Sequence, residues 1–155
     1  MLKAVFFDLD GTLLPFNEDV FLKTYIGLLT EFIKQFGYSK DLFVKTLFEG
    51  LELMYKNDGS KSNDDAFWEA FKNNFGEEEL VNRPKFDIFY ETEFLKIRNI
   101  CEDNPKAREI IDFCKENKLL TVLSTNPIIP GRGTIHRMSF VGLKEEDFDY
   151  ITLME

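Results

Sequence analysis

Two short apolar runs, placed far apart in the chain, constrain the fold more than any other feature of this sequence. Residues 2–9 and 119–124 are each short and largely apolar, which is typical of strands buried in a parallel sheet. Residues 149–153 predict a third strand. Because parallel strands need long crossover connections, the pattern predicts an α/β fold in which helices link the strands.

An all-helical stretch is predicted between the first two strands. Over residues 17–36, apolar side chains recur three and four positions apart, with Asn17 available as an N-cap and Gly37 as a terminator. Three further helices are predicted over residues 39–55, 64–75 and about 84–97. Two more helices flank the second strand, and they begin at Pro105 and at about Thr134.

Length and composition limit the class of protein. The chain has 155 residues, of which 44% are hydrophobic and 30% are charged. These values suit one globular domain, with or without an inserted module, and they exclude a disordered chain. Asp and Glu (28) outnumber Lys and Arg (19), so the formal net charge is −9. Since no basic stripe is present, we expect the protein to bind neither nucleic acid nor an anionic membrane surface.

The cysteines and the N-terminal run favour a cytoplasmic protein. Cys101 and Cys114 form no CxxC pair and are accompanied by one histidine, His136, so no Cys/His zinc site is expected. Cys114 follows two isoleucines at helical spacing, which predicts a small buried side chain. Asp8 and Asp10 interrupt the N-terminal apolar run before it reaches the length of a signal peptide or a membrane span.

Two carboxylates mark the end of the first predicted strand. Asp8 and Asp10 are one residue apart, and because side chains alternate along a strand, they should point the same way. Ligands of open α/β sheets bind at this end of the strands. Gly11 permits a tight turn, and Thr12 adds a hydroxyl and an amide donor. Taken alone, an Asp-x-Asp of this kind is more often an Asx-type turn than a functional site.

The surrounding residues change that interpretation. Residues 6–14 read FFDLDGTLL, and residues 121–126 read TVLSTN. The two segments resemble the first and second motifs of the haloacid dehalogenase-like (HAD) superfamily, in the order that the superfamily has them. The resemblance implies a Rossmann-like core formed by residues 1–15 and 99–155, with a parallel sheet of strand order 3-2-1. It also implies that residues 16–98 form an all-helical cap domain inserted after strand 1.

The resemblance also implies a reaction and its residues. Asp8 would be the nucleophile that forms an aspartyl-phosphate, and Asp10 would act as general acid and base. Mg²⁺ would be held by the Asp8 side chain and the Asp10 main-chain carbonyl. Thr125 would bind the transferring phosphoryl oxygens, and Thr12 and Asn126 would complete the phosphate cradle. The substrate would be a small phosphorylated metabolite, whose identity the sequence does not indicate.

Two alternatives to a phosphatase remain open at this point. A 2-haloacid dehalogenase is disfavoured, because dehalogenases of this superfamily usually lack a carboxylate at the position of Asp10. A halide leaving group needs no proton, whereas an alkoxide does. The second alternative is a catalytically inactive phosphate-binding or regulatory module of the same fold.

Two later motifs of the superfamily have no counterpart after the third predicted strand. Lys144 precedes that strand, so it does not match the expected lysine. The acidic residues Glu145, Glu146, Asp147 and Asp149 lie upstream of where the expected acidic pair belongs. We therefore expect the chain to be a fragment of a longer protein, with little phosphatase activity alone. Strand 4–7 would then be a bare sheet edge, open to self-association or to a complementing C-terminal segment.

Three other groups of residues are expected to be structural. Most of the 17 phenylalanines, together with Trp68, lie at helical spacing and should pack inside the cap. His136, with the neighbouring Arg132 and Arg137, is expected on the solvated surface. The three glutamates at 77–79 are expected to form a solvated helix start.

Overall fold

A computed structural model describes residues 2–155, and these residues form three strands and six α-helices. The elements in chain order are β1 (Ala4–Phe7), α1 (Glu18–Phe32), α2 (Lys40–Tyr55), α3 (Asn63–Phe75), α4 (Arg83–Glu91), α5 (Pro105–Glu116), β2 (Leu120–Leu123), α6 (Gly131–Phe140) and β3 (Tyr150–Ile151). Short 3-10 helices cover Ile33–Phe36, Glu77–Asn82, Glu93–Ile100 and Glu145–Asp147.

The strands form one parallel sheet in the order β1-β2-β3. Phe7 pairs with Leu123, and Leu123 pairs with Ile151. The predicted α/β class, the parallel pairing and the strand order are therefore confirmed. β2 lies in the centre, since it has a neighbour on both sides.

The two faces of the sheet differ in how they are covered. On one face, Leu123 of β2 packs in a buried apolar cluster with Ile111 of α5 and Met138 of α6. On the other face, Phe6 remains 69% exposed and Tyr150 remains 71% exposed. Both pair in register with Val122, so an apolar row crosses all three strands on this face. Parallel sheets are normally covered on both faces.

Helices α1 to α4 occupy the predicted helical stretch and have their own aromatic core. Asn17 caps α1 by accepting a hydrogen bond from the backbone N of Val20 at 3.1 Å, as predicted. Four phenylalanines are fully buried in this core, namely Phe43, Phe71, Phe89 and, from the 3-10 helix Glu93–Ile100, Phe94. The prediction that the aromatic residues mainly pack among these helices is confirmed.

The structure corrects the sequence predictions at two helices. The helix predicted to continue to residue 97 ends at Glu91, because Thr92 leaves the helical region (φ −125°, ψ −82°) and a 3-10 helix follows. Helix α6 begins three residues earlier than predicted, at Gly131. Gly133 makes this start possible, since a Cβ there would lie 2.6 Å from Ile129 Cγ2 and 3.1 Å from Tyr90 Cδ1.

A third correction concerns the glutamates at 77–79. They begin a 3-10 helix, but Glu79 is buried and accepts a hydrogen bond from Asn82 Nδ2 at 3.1 Å. The expectation of a fully solvated run is therefore wrong for Glu79. Cys114 is buried, as its helical spacing predicts.

The helical stretch leaves and rejoins the sheet region at neighbouring points. Glu102 N donates to Pro15 O at 2.9 Å, and Phe16 and Cys101 form an isolated antiparallel bridge. Asn104 Nδ2 donates to Leu13 O at 2.9 Å beside this crossing.

Among residues 2–155, no helix combines the length and hydropathy that crossing a bilayer requires.

Candidate active site

The C-terminal ends of β1 and β2 place the two sequence motifs side by side. Ser124 N donates to Phe7 O at 2.7 Å, which extends the β1-β2 pairing to the last residue before Asp8. The chain then turns over Gly11, which has a φ of +75°, favoured by glycine. Two buried leucines anchor this turn, because Leu14 N donates to Leu9 O at 2.8 Å.

Asp8 lies exposed at the end of β1 and has one hydrogen-bond partner within the turn. Thr12 Oγ1 donates to Asp8 Oδ2 at 2.9 Å. This bond orients the carboxylate, and Oδ1 has no hydrogen-bond partner within residues 2–155. Thr12, which the resemblance assigns to the phosphate cradle, therefore contacts the proposed nucleophile directly.

Asp10 is in a different environment, although it is only two residues away. Its side chain is one-third exposed and forms an ion pair with Arg137. Asp10 Oδ2 takes the hydrogen bond from Arg137, whereas the buried Oδ1 atom has no partner within residues 2–155. Burial raises the pKa of Asp10, and the charge of Arg137 opposes that shift without cancelling it. A carboxyl group with a raised pKa keeps its proton to higher pH, as a proton donor must.

Arg137 is not on the solvated surface, so the sequence-based expectation for it is wrong. The side chain is only 1% exposed. Its Nε donates to Gly133 O at 3.2 Å, and its second terminal nitrogen donates to Thr134 Oγ1 at 3.1 Å. A guanidinium group is buried only when its donors are satisfied. Here the acceptors are Gly133 O and Thr134 Oγ1 of the same helix, together with the Asp10 carboxylate.

The sequence analysis also predicts two neighbouring basic residues, Arg132 and His136, on the solvated surface, and the structure confirms this for Arg132. Arg132 is exposed and pairs with Glu91 of α4. His136 is half-buried, and its Nε2 lies 3.4 Å from a Glu91 oxygen. Both side chains therefore connect α6 to α4, away from the two aspartates.

The second motif contributes one buried and one exposed residue. Thr125 is buried, and its carbonyl accepts a hydrogen bond from Thr152 Oγ1 at 2.6 Å. Asn126 is exposed, and its carbonyl accepts from Ile128 N at 2.9 Å. The structure brings Asn126 and Asp10 together on the wall of one cavity.

That cavity has a volume of about 490 Å³ and lies between the helical stretch and the end of the sheet. Its walls are mainly aromatic and aliphatic, and side chains of α1, α2, α3 and α4 contribute to them. Two hydroxyls on the wall bond to each other, because Tyr25 Oη and Tyr90 Oη lie 2.8 Å apart. Burial raises the pKa of both phenols, so both are neutral near pH 7.

The donor set at the strand end fits Mg²⁺ through a small number of protein ligands. Among residues 2–155, no group of three or more His, Cys, Asp or Glu side chains could hold a metal ion. In the part of the chain that the structure describes, Oδ1 of the exposed Asp8 carboxylate has no hydrogen-bond partner, and none of the backbone hydrogen bonds of residues 9–14 involves the Asp10 carbonyl. One or two protein oxygens, completed by water and a substrate phosphate, are a common way to bind Mg²⁺. Asp8 and the Asp10 carbonyl therefore fit a magnesium ion of that kind.

Comparison with known proteins adds little to this description. No protein family model matches the chain. No curated protein matches it either. One solved structure similar to it is described as a "putative beta-phosphoglucomutase from Thermotoga maritima", with 22% identity and a TM-score of 0.42. The match covers 98% of this chain and 61% of that chain. A likeness at this level carries no argument about function, so the interpretation of the site depends on its own residues.

Proposed function

We propose that this chain carries the catalytic aspartates of a Mg²⁺-dependent phosphate-ester hydrolase of the HAD-like type. One observation carries the proposal, namely the contrast between the two strand-end carboxylates. Asp8 is exposed and oriented by Thr12, whereas Asp10 is partly buried and held by Arg137 beside a cavity. Two carboxylates in different environments can take different roles in one reaction.

In this proposal Asp8 is the nucleophile. An oxygen of its carboxylate attacks phosphorus, and the bond between phosphorus and the ester oxygen breaks. The Asp10 carboxyl gives its proton to the departing oxygen, so the product leaves as an alcohol. Asp10 then takes a proton from water, whose oxygen attacks the aspartyl-phosphate and releases inorganic phosphate and free Asp8.

The remaining predicted residues have supporting roles in this proposal. Thr12 keeps the Asp8 carboxylate in position, and Asn126 and Thr125 hold phosphate oxygens next to the second strand. Mg²⁺, when bound at Asp8 and the Asp10 carbonyl, supplies positive charge that offsets the repulsion between the phosphate dianion and the carboxylates. Residues 16–98 act as the cap that encloses the leaving group, and residues 1–15 and 99–155 act as the core.

A second candidate is a phosphate-binding module without catalytic activity. It is favoured by the lack, within residues 2–155, of a third side chain that could bind the metal next to Asp8. Arg137 also favours it, since its charge opposes the effect of burial on the pKa of Asp10 and so limits the protonated form that an acid requires.

Phosphate release from an aryl phosphate in the presence of Mg²⁺ tests the proposal. We expect slow release from the unmodified chain. Asp8→Asn should abolish it, and Asp19→Asn, a change at an exposed acidic residue of α1, should leave it unchanged. Beryllium fluoride with Mg²⁺ should bind the unmodified chain and not Asp8→Asn. If beryllium fluoride binds through Asp8 while no ester is hydrolysed, the second candidate is correct.

A further inference from the structure

The cavity beside Asp10 has walls that limit what the leaving group can be. We propose that the phosphate ester carries an uncharged, largely apolar leaving group, of the aryl or cycloalkyl class. This inference rests on the proposed function, in which Asp10 protonates the departing oxygen. Because Asp10 lies on the cavity wall, the group attached to that oxygen would occupy the cavity.

Apolar side chains form most of the cavity surface. Phe21 and Leu29 of α1, Trp68 of α3, Phe86 of α4 and Ile129 of the loop before α6 all line it. Most of these side chains also belong to the aromatic core, so their positions are fixed by packing. A rigid apolar wall gains free energy from covering apolar ligand surface, and it offers no partner to a ligand hydroxyl.

The polar atoms on the wall are few and largely satisfied. Tyr25 Oη and Tyr90 Oη bond to each other at 2.8 Å, so one of the two protons is used within the pair. The pair therefore leaves one proton for a ligand, and Asn126 adds a side-chain amide near Asp10. The carboxylates of Asp10, Glu18 and Asp64 are the other polar groups of the wall. The hydroxyls of a sugar that face the aromatic and aliphatic side chains would be buried without partners, and each one would weaken binding.

The ionisable side chains on the wall are all acidic. Asp10, Glu18 and Asp64 line the cavity, and among residues 2–155 no lysine, arginine or histidine belongs to the lining. Arg83 pairs with Asp64 but does not belong to the lining. Arg137 and Arg83 offset the charges of Asp10 and Asp64 from behind the wall, but neither arginine lines the cavity. A second phosphate or a carboxylate on the leaving group would therefore meet carboxylate oxygens and no cation that it could contact. The leaving group should therefore carry no anionic group.

The cavity is large enough and open enough for such a group. Its volume of about 490 Å³ is within the usual range for small-molecule pockets. Leu22 and Tyr55 line it and are also exposed to solvent, so they mark an entrance between α1 and α2. A ligand can therefore reach Asp10 from solution through an apolar mouth.

Two esters built on the same six-carbon ring test the proposal. Cyclohexyl phosphate has an apolar ring, and inositol 1-phosphate has the same ring with five hydroxyls. Binding is measured by titration calorimetry, with Mg²⁺, on the Asp8→Asn chain. The amide oxygen of the asparagine can still bind the metal, but the variant should not turn over either ester. Trp68, the one tryptophan of the chain, lines the cavity and provides a second readout by fluorescence. We expect cyclohexyl phosphate to bind at least about tenfold more tightly.

A pair of matched variants places the binding in this cavity. Leu22 is 45% exposed and lines the cavity, whereas Val20 on the same helix is 44% exposed and does not. Leu22→Gln should weaken cyclohexyl phosphate binding and abolish its selectivity over inositol 1-phosphate. Val20→Gln should leave both affinities unchanged.

The outcomes separate this inference from the proposed function. If Asp8→Asn binds cyclohexyl phosphate selectively while the unmodified chain hydrolyses neither ester, the hydrolase proposal fails and the leaving-group class stands. If inositol 1-phosphate binds equally or more tightly, or if neither ester binds, the leaving-group class is overturned. Equal effects of Leu22→Gln and Val20→Gln would also overturn it, because binding would then lie elsewhere.

Discussion

Arg137 of α6 forms an ion pair with Asp10 at the end of β1, across 127 positions of sequence. The guanidinium is buried, and Gly133 O and Thr134 Oγ1 accept its other hydrogen bonds. The pair fixes the turn after β1 to the second turn of α6. It also puts a permanent positive charge next to the Asp10 carboxylate.

Removing Arg137 should destabilise the protein. In Arg137→Met the Asp10 carboxylate keeps its partly buried position but loses its cation, which should lower the free energy of unfolding by about 1–3 kcal/mol. Urea unfolding at pH 7 measures the change. Arg132→Met is the control, because Arg132 is exposed on the same helix and pairs only at the surface. Similar losses for the two variants would contradict the assignment of Arg137 as a buried partner.

Asp147 should make stability depend on acid pH. It is buried, and hydrogen bonds from Arg108, together with those from Lys115 and the Lys144 backbone, hold its pKa well below its ordinary value of 3.8. A carboxyl with a lowered pKa stabilises the fold above its unfolded pKa, and this contribution is lost as pH falls through the folded pKa. We therefore expect the loss to begin near pH 4 and to continue below pH 2.

The corresponding variant is Asp147→Asn, measured by urea unfolding between pH 2 and pH 7. It should lower the free energy of unfolding at pH 7 by about 2–4 kcal/mol, because Arg108 and Lys115 lose their shared anion. The difference in the free energy of unfolding between Asp147→Asn and the unmodified chain should become smaller toward pH 2. Glu146→Gln, at an exposed neighbour, should have little effect at any pH. A difference that stays constant with pH would refute the pKa assignment.

Two glycines should respond in opposite directions to alanine. Gly133→Ala places a Cβ 2.6 Å from Ile129 Cγ2, in the contact between α6 and α4, and should cost about 1–3 kcal/mol. Gly27 lies within α1, and a Cβ at this position would meet no neighbouring side chain within 4 Å. Gly27→Ala should therefore stabilise the protein by about 0.5–1 kcal/mol through helix propensity. Thermal unfolding of both variants measures the difference, and a stabilising Gly133→Ala would show that α6 can move away from Tyr90.

The free edge of β1 should promote self-association. Within residues 2–155, β1 pairs with β2 alone, and Phe6 on it is largely exposed. We propose that two copies of the chain pair through this edge, because an unpaired strand is a template for another strand. Sedimentation velocity should show a mass that rises with concentration, and Phe6→Lys should remove that rise. Val81→Lys, at an exposed apolar residue of the helical stretch, should not. A monomeric unmodified chain at all concentrations would disprove the pairing.

Local sequence patterns are sufficient for most of the fold. Short apolar runs predict the three strands, and helical periodicity predicts the helices between them, because burial on two faces and burial on one stripe leave different residue patterns. The cap at Asn17 and the terminator at Gly37 are also readable, since both act on backbone within a few residues. The position of Asp8 and Asp10 at a strand end follows from the same patterns.

Only the tertiary structure decided how the two aspartates differ. Asp8 and Asp10 have the same side chain, and their spacing cannot show that one is exposed and the other partly buried against Arg137. Arg137 itself resembles a surface residue in the sequence, because burial of a charge depends on acceptors that come from distant positions in the chain. The apolar cavity has no local signature for the same reason, as its wall combines residues from four helices with residues from the segments that follow each of the three strands. Short-range patterns can be recognised in the sequence, whereas the environment of a charge depends on contacts between residues that are far apart in the chain.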